Sequence, residues 1–463
     1  MRIPIQWATG SNASRSKAAN CSRLINMYPE ALPPDSKAPV VLYGTPGTQQ
    51  FALLNDGPIL GLHIMNYRLY AVTPTHLYEI YENGSYKLIG NVNIERRASM
   101  ANNGYQLVIV DGKRGYWHEE DTEEVKQFDG DGWYPSDAVT YQDGYFIFNR
   151  AGTGQFFISQ LLSIEFNAID FATAEGAPDD AVHVVSKQRE LWVFGTDSIE
   201  VWYNSGSPDF PFDRLQGAFI ERGTNSPQSI VKLDDSLFFI GADSMVYRMQ
   251  GYQPVRISTH AMEYDIGKGR VDDAYAWGYT AEGHTFYVIT FPSQKKTWCF
   301  DVATGIWHER QHYQWGHDNA LCYVRFGGRH LVGDFQSGMI HDLTLQSGTN
   351  NGDPIRREAI SPPVQAGKVS VAQSVLELDM ETGVGLPVGQ GDNPQAMLQW
   401  SDDNGNTWSN ERWTTLGKIG EYRTRVRFFR LGMFRERVFK LVISDPVPVA
   451  ILSAFAEVQR GRS

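Results

Sequence analysis

Short apolar or aromatic runs recur along the first three quarters of the chain. They are LYAV (69–72), LVIV (107–110), YFIF (145–148), LWVF (191–194), LFFI (237–240), FYVI (286–289) and the weaker HLVG (330–333). Successive runs start 38, 38, 46, 46, 49 and 44 residues apart. A polar or glycine-containing turn precedes most of them, as at Asn102, Gln142, Leu233 and Phe326, and a second strand-like segment often follows, as from His76, Ser198, Met245 and Thr297. A turn, a buried strand, a tight loop and another strand every 40-odd residues is the rhythm of a β-propeller blade. One four-stranded sheet cannot bury both of its faces alone, whereas radial stacking against neighbours does so and leaves only short edges. The seven runs are read as inner strands of six or seven blades, in a ring that can close with strands from both ends of the repeat. In the stretch from Lys296, the Asp301-to-Trp307 spacing sets two strands around a turn at Ala303–Thr304–Gly305.

Two regions lie outside this beat. Residues 1–50 are polar and proline-rich, which predicts an extended N-terminal arm lying on something else and not an independent core. The propeller is placed at 51–345. From 346 to 463 a linker leads into alternating segments beginning near Ser374, Ala396, Arg425, Arg437 and Val449. These predict a C-terminal β-sandwich or platform. The fold class expected is therefore all-β. Thirteen per cent aromatic residues and 44 glycines agree with many short strands joined by tight turns.

Charge and cysteine content narrow the function. A net charge of −12 argues against a groove gripping nucleic acid along its length. Three scattered cysteines (Cys21, Cys299, Cys322) make neither a disulfide framework nor a metal cluster, and suit reduced thiols in a cytoplasm. No signal-peptide pattern opens the chain, and no apolar run is long enough to span a membrane.

The motif from Ser401 to Trp408 reads S-x-D-x-G-x-T-W, which resembles the Asp-box of sialidases. Its Ser401, Asp403 and Gly405 are expected to tie a hairpin with Trp408 packed beneath. It occurs once, outside the repeat, so it speaks for a structural hairpin more than for a glycosidase. Acidic pairs such as Asp179–Asp180 and Asp234–Asp235 precede strands, where turns recruit Asp for backbone bonds. His308, His312 and His317 read as exposed loop histidines without a convincing third metal ligand. No cofactor site is expected. Between Glu411 and Lys440 nine basic residues face three acids, leaving the rest of the chain near −18. Arg423, Arg425 and Arg427 alternate, which predicts a cationic strand face for an acidic partner surface.

"INMYPE" (25–30), "LYGTPGT" (42–48) and the phrase from Leu398 to Gly432 together resemble the packaged-DNA stabilisation proteins, or tail hubs and nozzles, of short-tailed phages of the P22 type. The resemblance covers both ends of the chain, and the repeats between fit the family's propeller. It implies a structural virion protein, made and assembled in the host cytoplasm and not an enzyme. Such a protein forms a homohexameric ring below the portal and its adaptor, extends the channel for double-stranded DNA, and contacts tailspikes or fibres and the plug or needle. Interface residues are then expected at Arg423, Arg425, Arg427 and Arg430, and in the N-terminal segment at Tyr28 and Pro29. The alternative is a propeller that binds or cleaves glycans as a receptor-binding tail part.

Overall fold

The computed structural model describes residues 2–7, 9–365 and 369–460. Seven four-stranded antiparallel blades form a ring. The first comprises Gly61–Met65, Arg68–Val72, His76–Ile80 and Tyr86–Asn91, and the next five occupy 99–127, 139–173, 181–220, 231–256 and 275–310. The seventh takes three strands from 320–344 and its outer strand, Gly47–Leu53, from ahead of the first blade. Closure thus uses both ends of the repeat, with Met339 opposite Leu53 and Thr344 opposite Gly47. This pairing between the first and last segments of the repeat gives the seventh blade its fourth, outer strand and closes the ring.

The seven apolar runs are the second strands of their blades, not the innermost ones expected. A second strand is paired on both sides within its sheet and covered by a neighbouring blade on each face. Leu69, Leu107, Ile147, Leu191, Leu237 and Val288 are accordingly sealed from solvent. The innermost strands border the axis and read more polar, as in Ser99–Asn102 and Val139–Gln142.

The C-terminal sandwich has one sheet in the order Met27–Ala31, Val40–Gly44, Ala450–Arg460, Val371–Met380, Val426–Phe434, with Arg2–Ile5 also paired to Ala450–Arg460. The other runs Arg23–Ile25, Arg357–Ile360, Glu436–Ile443, Gln395–Ser401, Arg412–Thr415. Their inner faces meet around Leu24, Leu376, Leu398, Phe428, Phe439 and Leu441. Alternating burial along Val371–Met380 shows the period-two pattern that one covered face demands.

Residues 1–50 therefore do not lie as an arm on another surface. They supply strands to both sandwich sheets before reaching the outer strand of the seventh blade. Arg23–Ile25 pairs in parallel with Ile306–Arg310 of the sixth blade and antiparallel with Arg357–Ile360, so one continuous sheet runs from propeller into sandwich. The prolines of this stretch fall in turns and at strand positions that their missing N–H tolerates.

Candidate functional site at the propeller–sandwich seam

The seam is built by the two N-terminal motifs. Asn26 sits between Arg23–Ile25 and Met27–Ala31 with φ +54°, a left-handed conformation that Asn tolerates better than most residues. Its amide nitrogen donates to the carbonyls of Gln311 and Arg356, both at 2.9 Å, and its oxygen accepts from the Gln311 N–H at 2.9 Å. One buried side chain therefore ties the sixth blade to the first strand of the sandwich proper. Asn26→Leu should cost about 2–3 kcal/mol, because it strands these groups and forces a branched residue into a positive φ. Chemical denaturation checks this, and a variant as stable as wild type would remove Asn26 from the seam.

Tyr28 and Pro29 are buried here and do not form an outward interface as expected. Tyr28 packs edge-on against Phe286 and His284 of the sixth blade, and Pro29 faces Leu42 across the Met27–Ala31/Val40–Gly44 hairpin. Apolar matching between N-terminal segment and blade outweighs exposure, since a Tyr with its ring covered contributes most of its area to the hydrophobic term. His308 and His312 are buried as well, not in solvent-exposed loops. His308 lies on the strand Ile306–Arg310, and burial holds it well below its usual titration range. His317 is buried too and its Nδ1 contacts the Asp318 carbonyl at 2.6 Å. Among the described residues no group of three or more His, Cys, Asp or Glu side chains could hold a metal.

The Asp-box closes the hairpin as its residue types require. The Ser401 hydroxyl donates to Asp403 at 2.7 Å and accepts from the Gly405 N–H at 2.7 Å. Asp403 also accepts from the Asn406 and Thr407 N–H groups and from the Thr407 hydroxyl. Gly405 takes φ +82°, which a side chain would oppose. Trp408 packs with Cys21, Ile360 and Val438, and carries Lys440 Nζ 4.3 Å above its ring. The Ser401 and Thr407 hydrogen bonds pull the Asp403 carboxyl well below its ordinary range. A depressed folded-state pKa contributes stability above the unfolded value near 4, and loses it as pH falls through the folded value. Asp403→Asn should therefore melt below wild type at pH 7, with the gap closing steadily under pH 4. A pH-independent gap in melting temperature would contradict the hydrogen-bond account.

The arginine cluster divides. Arg425 makes a two-point bond to Glu377, with Nε and Nη2 at 2.8 and 2.9 Å, and Arg427 reaches the same carboxylate at 3.5 Å. The wholly cationic face expected from alternation is thus partly neutralised by the adjacent strand. Arg423 precedes Val426–Phe434 and Arg430 adopts φ +59° inside it. Arg412, Arg423, Arg430 and Arg435 are exposed and make no ion pair among the described residues. Val426–Phe434 and Arg412–Thr415 are the edge strands of the two sheets. Trp413, Ile419, Tyr422, Phe429 and Met433 are exposed on these strands and the loop between them. The apolar half of this surface escaped sequence reading, because alternation alone does not say which face of an edge strand is covered.

Beneath this edge Arg437 is 1% exposed and holds Asp402 through Nε and Nη2 at 2.7 and 2.8 Å. It also donates to the Leu431 carbonyl at 2.7 Å. The box thus anchors, through Asp402, a position its pattern leaves free, the corner where the chain passes from Val426–Phe434 in one sheet to Glu436–Ile443 in the other.

A propeller and a sandwich that share one sheet and one N-terminal segment define a two-domain, all-β protein. A family model described as "Bacteriophage P22 Gp10, beta-propeller" matches residues 1–348, and its companion, "Bacteriophage P22 Gp10, beta-sandwich", matches 356–459. The chain belongs to this family. It is a structural protein of the phage virion, a tail hub or nozzle component that stabilises packaged DNA, and not an enzyme. No curated protein matches it significantly. Among solved structures it is similar to the computationally designed Ika8 protein, at 12% identity and TM-score 0.39 over 70% of this chain and 99% of that one. It is also similar to YCF48 bound to D1 peptide, at 10% identity and TM-score 0.43 over 65% and 98%. The extracellular domain of the one-component system BT4673 from B. thetaiotaomicron gives 11% and 0.46 over 90% and 61%. Nothing is argued from likenesses at this level.

Proposed function

We propose that six copies close into a ring below the portal and its adaptor, with the sandwich edge as one half of each subunit contact. The ring extends the DNA channel and meets tailspikes or fibres at its side and the plug or needle at its tip. The chain is made and assembled in the host cytoplasm. The observation that carries this reading is the sandwich edge, where exposed Trp413, Tyr422, Phe429 and Met433 lie among Arg412, Arg423, Arg430 and Arg435, which make no ion pair among the described residues. Aromatic, Met and Arg side chains are the types enriched in protein interfaces, and a monomer rarely leaves so many together. Closed rings need two different faces per subunit, and a chain of net charge −12 has ample acidic surface to meet this one. That acidity also suits a conduit, because phosphates slide past a wall that does not bind them. The cationic edge accordingly belongs away from the lumen.

Purified protein imaged by negative stain should show six-fold rings. Arg423→Glu with Arg430→Glu should abolish them while leaving the melting temperature within about 1 °C, as neither side chain has an ion-pair partner to lose among the described residues. Rings that persist in the double variant would remove this edge from the contact.

A further inference from the structure

A cavity of about 600 Å³ opens at the seam between propeller and sandwich. Aromatic and proline side chains wall it, including Tyr28, Tyr43, Pro446 and Pro448. Arg357 also lines it and is only 3% exposed. Its Nε has no acceptor, its Nη1 reaches only the Asp445 carbonyl at 3.4 Å, and it has no carboxylate partner among the described residues. Burial draws its pKa down to about 10. Among the described residues the two other arginines as little exposed have a counterpart: Arg437 holds Asp402, and Arg310 reaches the Tyr279 hydroxyl and lies 3.9 Å from Asp318. Space for this guanidinium is also made deliberately, because a Cβ on Gly44 would come within 2.6 Å of Nε. Taking an unpaired cation out of water is costly, and such groups are held where an anion meets them.

We propose that this cavity receives the carboxylate of an acidic side chain from a protein partner, seated on Arg357. Glu30, Glu282 and Glu381 also line it, the last two exposed, so they guard its mouth. They repel a phosphate dianion more than a monoanion, and they favour a segment that places a basic residue beside the acid. A planar guanidinium matches a carboxylate in two-point geometry. Peptide-like walls of Tyr and Pro suit a side chain with its backbone better than a free solute. The assignment of the carboxylate to a tail partner rests on the assembly reading above; the site itself does not.

The probe is trifluoroacetate, followed by its 19F line width against the purified chain. Wild type should broaden the line, acetate should restore it, and inorganic phosphate at equal ionic strength should not. Arg357→Met should fold, melt no lower than wild type, and lose the broadening at least about tenfold. Arg357→Lys should fold and broaden weakly, which decides the matter if the Met variant is insoluble. No broadening by wild type, or equal broadening by wild type and either variant, would overturn the site. Incorporation of Arg357→Met into tails should fall about tenfold while its own ring formation is unchanged. Normal incorporation would overturn the partner assignment and leave a site for a free carboxylate, and loss of rings in wild type would count against the assembly reading alone.

Discussion

Asp402→Ala is expected to destabilise the sandwich by about 3 kcal/mol, and by more than Arg437→Met does. The two residues form one ion pair, yet they stand in different places. Arg437 is 1% exposed in its side chain and Asp402 is 47% exposed. Removing the carboxylate strands a guanidinium at the corner between the two sheets with, among the described residues, only the Leu431 and Met433 carbonyls and the Gln373 amide oxygen for company. Breaking a buried pair from one side costs roughly 3–5 kcal/mol, and the half-open position of Asp402 puts this case at the low end. Removing the arginine instead returns Asp402 to water, and a methionine keeps the packing against Trp400 and Phe434 that the guanidinium provides. That variant should lose about half as much. Urea unfolding of both variants checks the order, and an Arg437→Met protein less stable than Asp402→Ala would show that packing, not charge, governs this position.

Starting the chain after residue 53 should abolish folding altogether, whereas starting it at residue 47 should leave a protease-resistant propeller and a protease-sensitive sandwich. The shorter deletion keeps Gly47–Leu53, whose pairing with Met339–Thr344 closes the ring. It removes Met27–Ala31, Val40–Gly44 and Arg2–Ile5 from one sandwich sheet and the linking strand Arg23–Ile25 from the other. The longer deletion also opens the seventh blade, exposing a strand edge and side chains such as Leu54 and Ile340 that share a core cluster with the deleted Ala52. Limited proteolysis with identification of the surviving fragment distinguishes the two outcomes. A stable sandwich in either truncated protein would mean that the N-terminal strands are dispensable to it.

Much of the architecture was legible because it rests on local signals. The second strand of each blade is covered on both faces and paired on both sides, so its residues must be apolar in an unbroken run, and the spacing of the runs reports the blade period. The Asp-box was legible for a similar reason: Ser401, Asp403, Gly405 and Thr407 bond to one another within seven residues. The histidines and the N-terminal segment were less so. Nothing near Tyr28 in the chain announces the sixth blade that covers it, nothing near His308 announces Tyr28 beside it, and the proline spacing of residues 1–50 fits an arm and an edge strand equally.

Local patterning along the chain accounts for the all-β class, the repeat, the presence of a second β-domain, the Asp-box hairpin and the concentration of arginines between 411 and 440. Each depends on neighbours within one strand, one turn or one repeat. Long-range packing alone fixes that seven blades close through Gly47–Leu53, that Glu377 neutralises Arg425, that Asp402 holds Arg437, and that Arg357 lines a cavity with no carboxylate partner among the described residues. The pairings among these join residues from 35 to 297 positions apart. Their geometry is set by how the ring and the sandwich close on each other, and a side chain's partner across such a distance leaves no periodic trace in the chain.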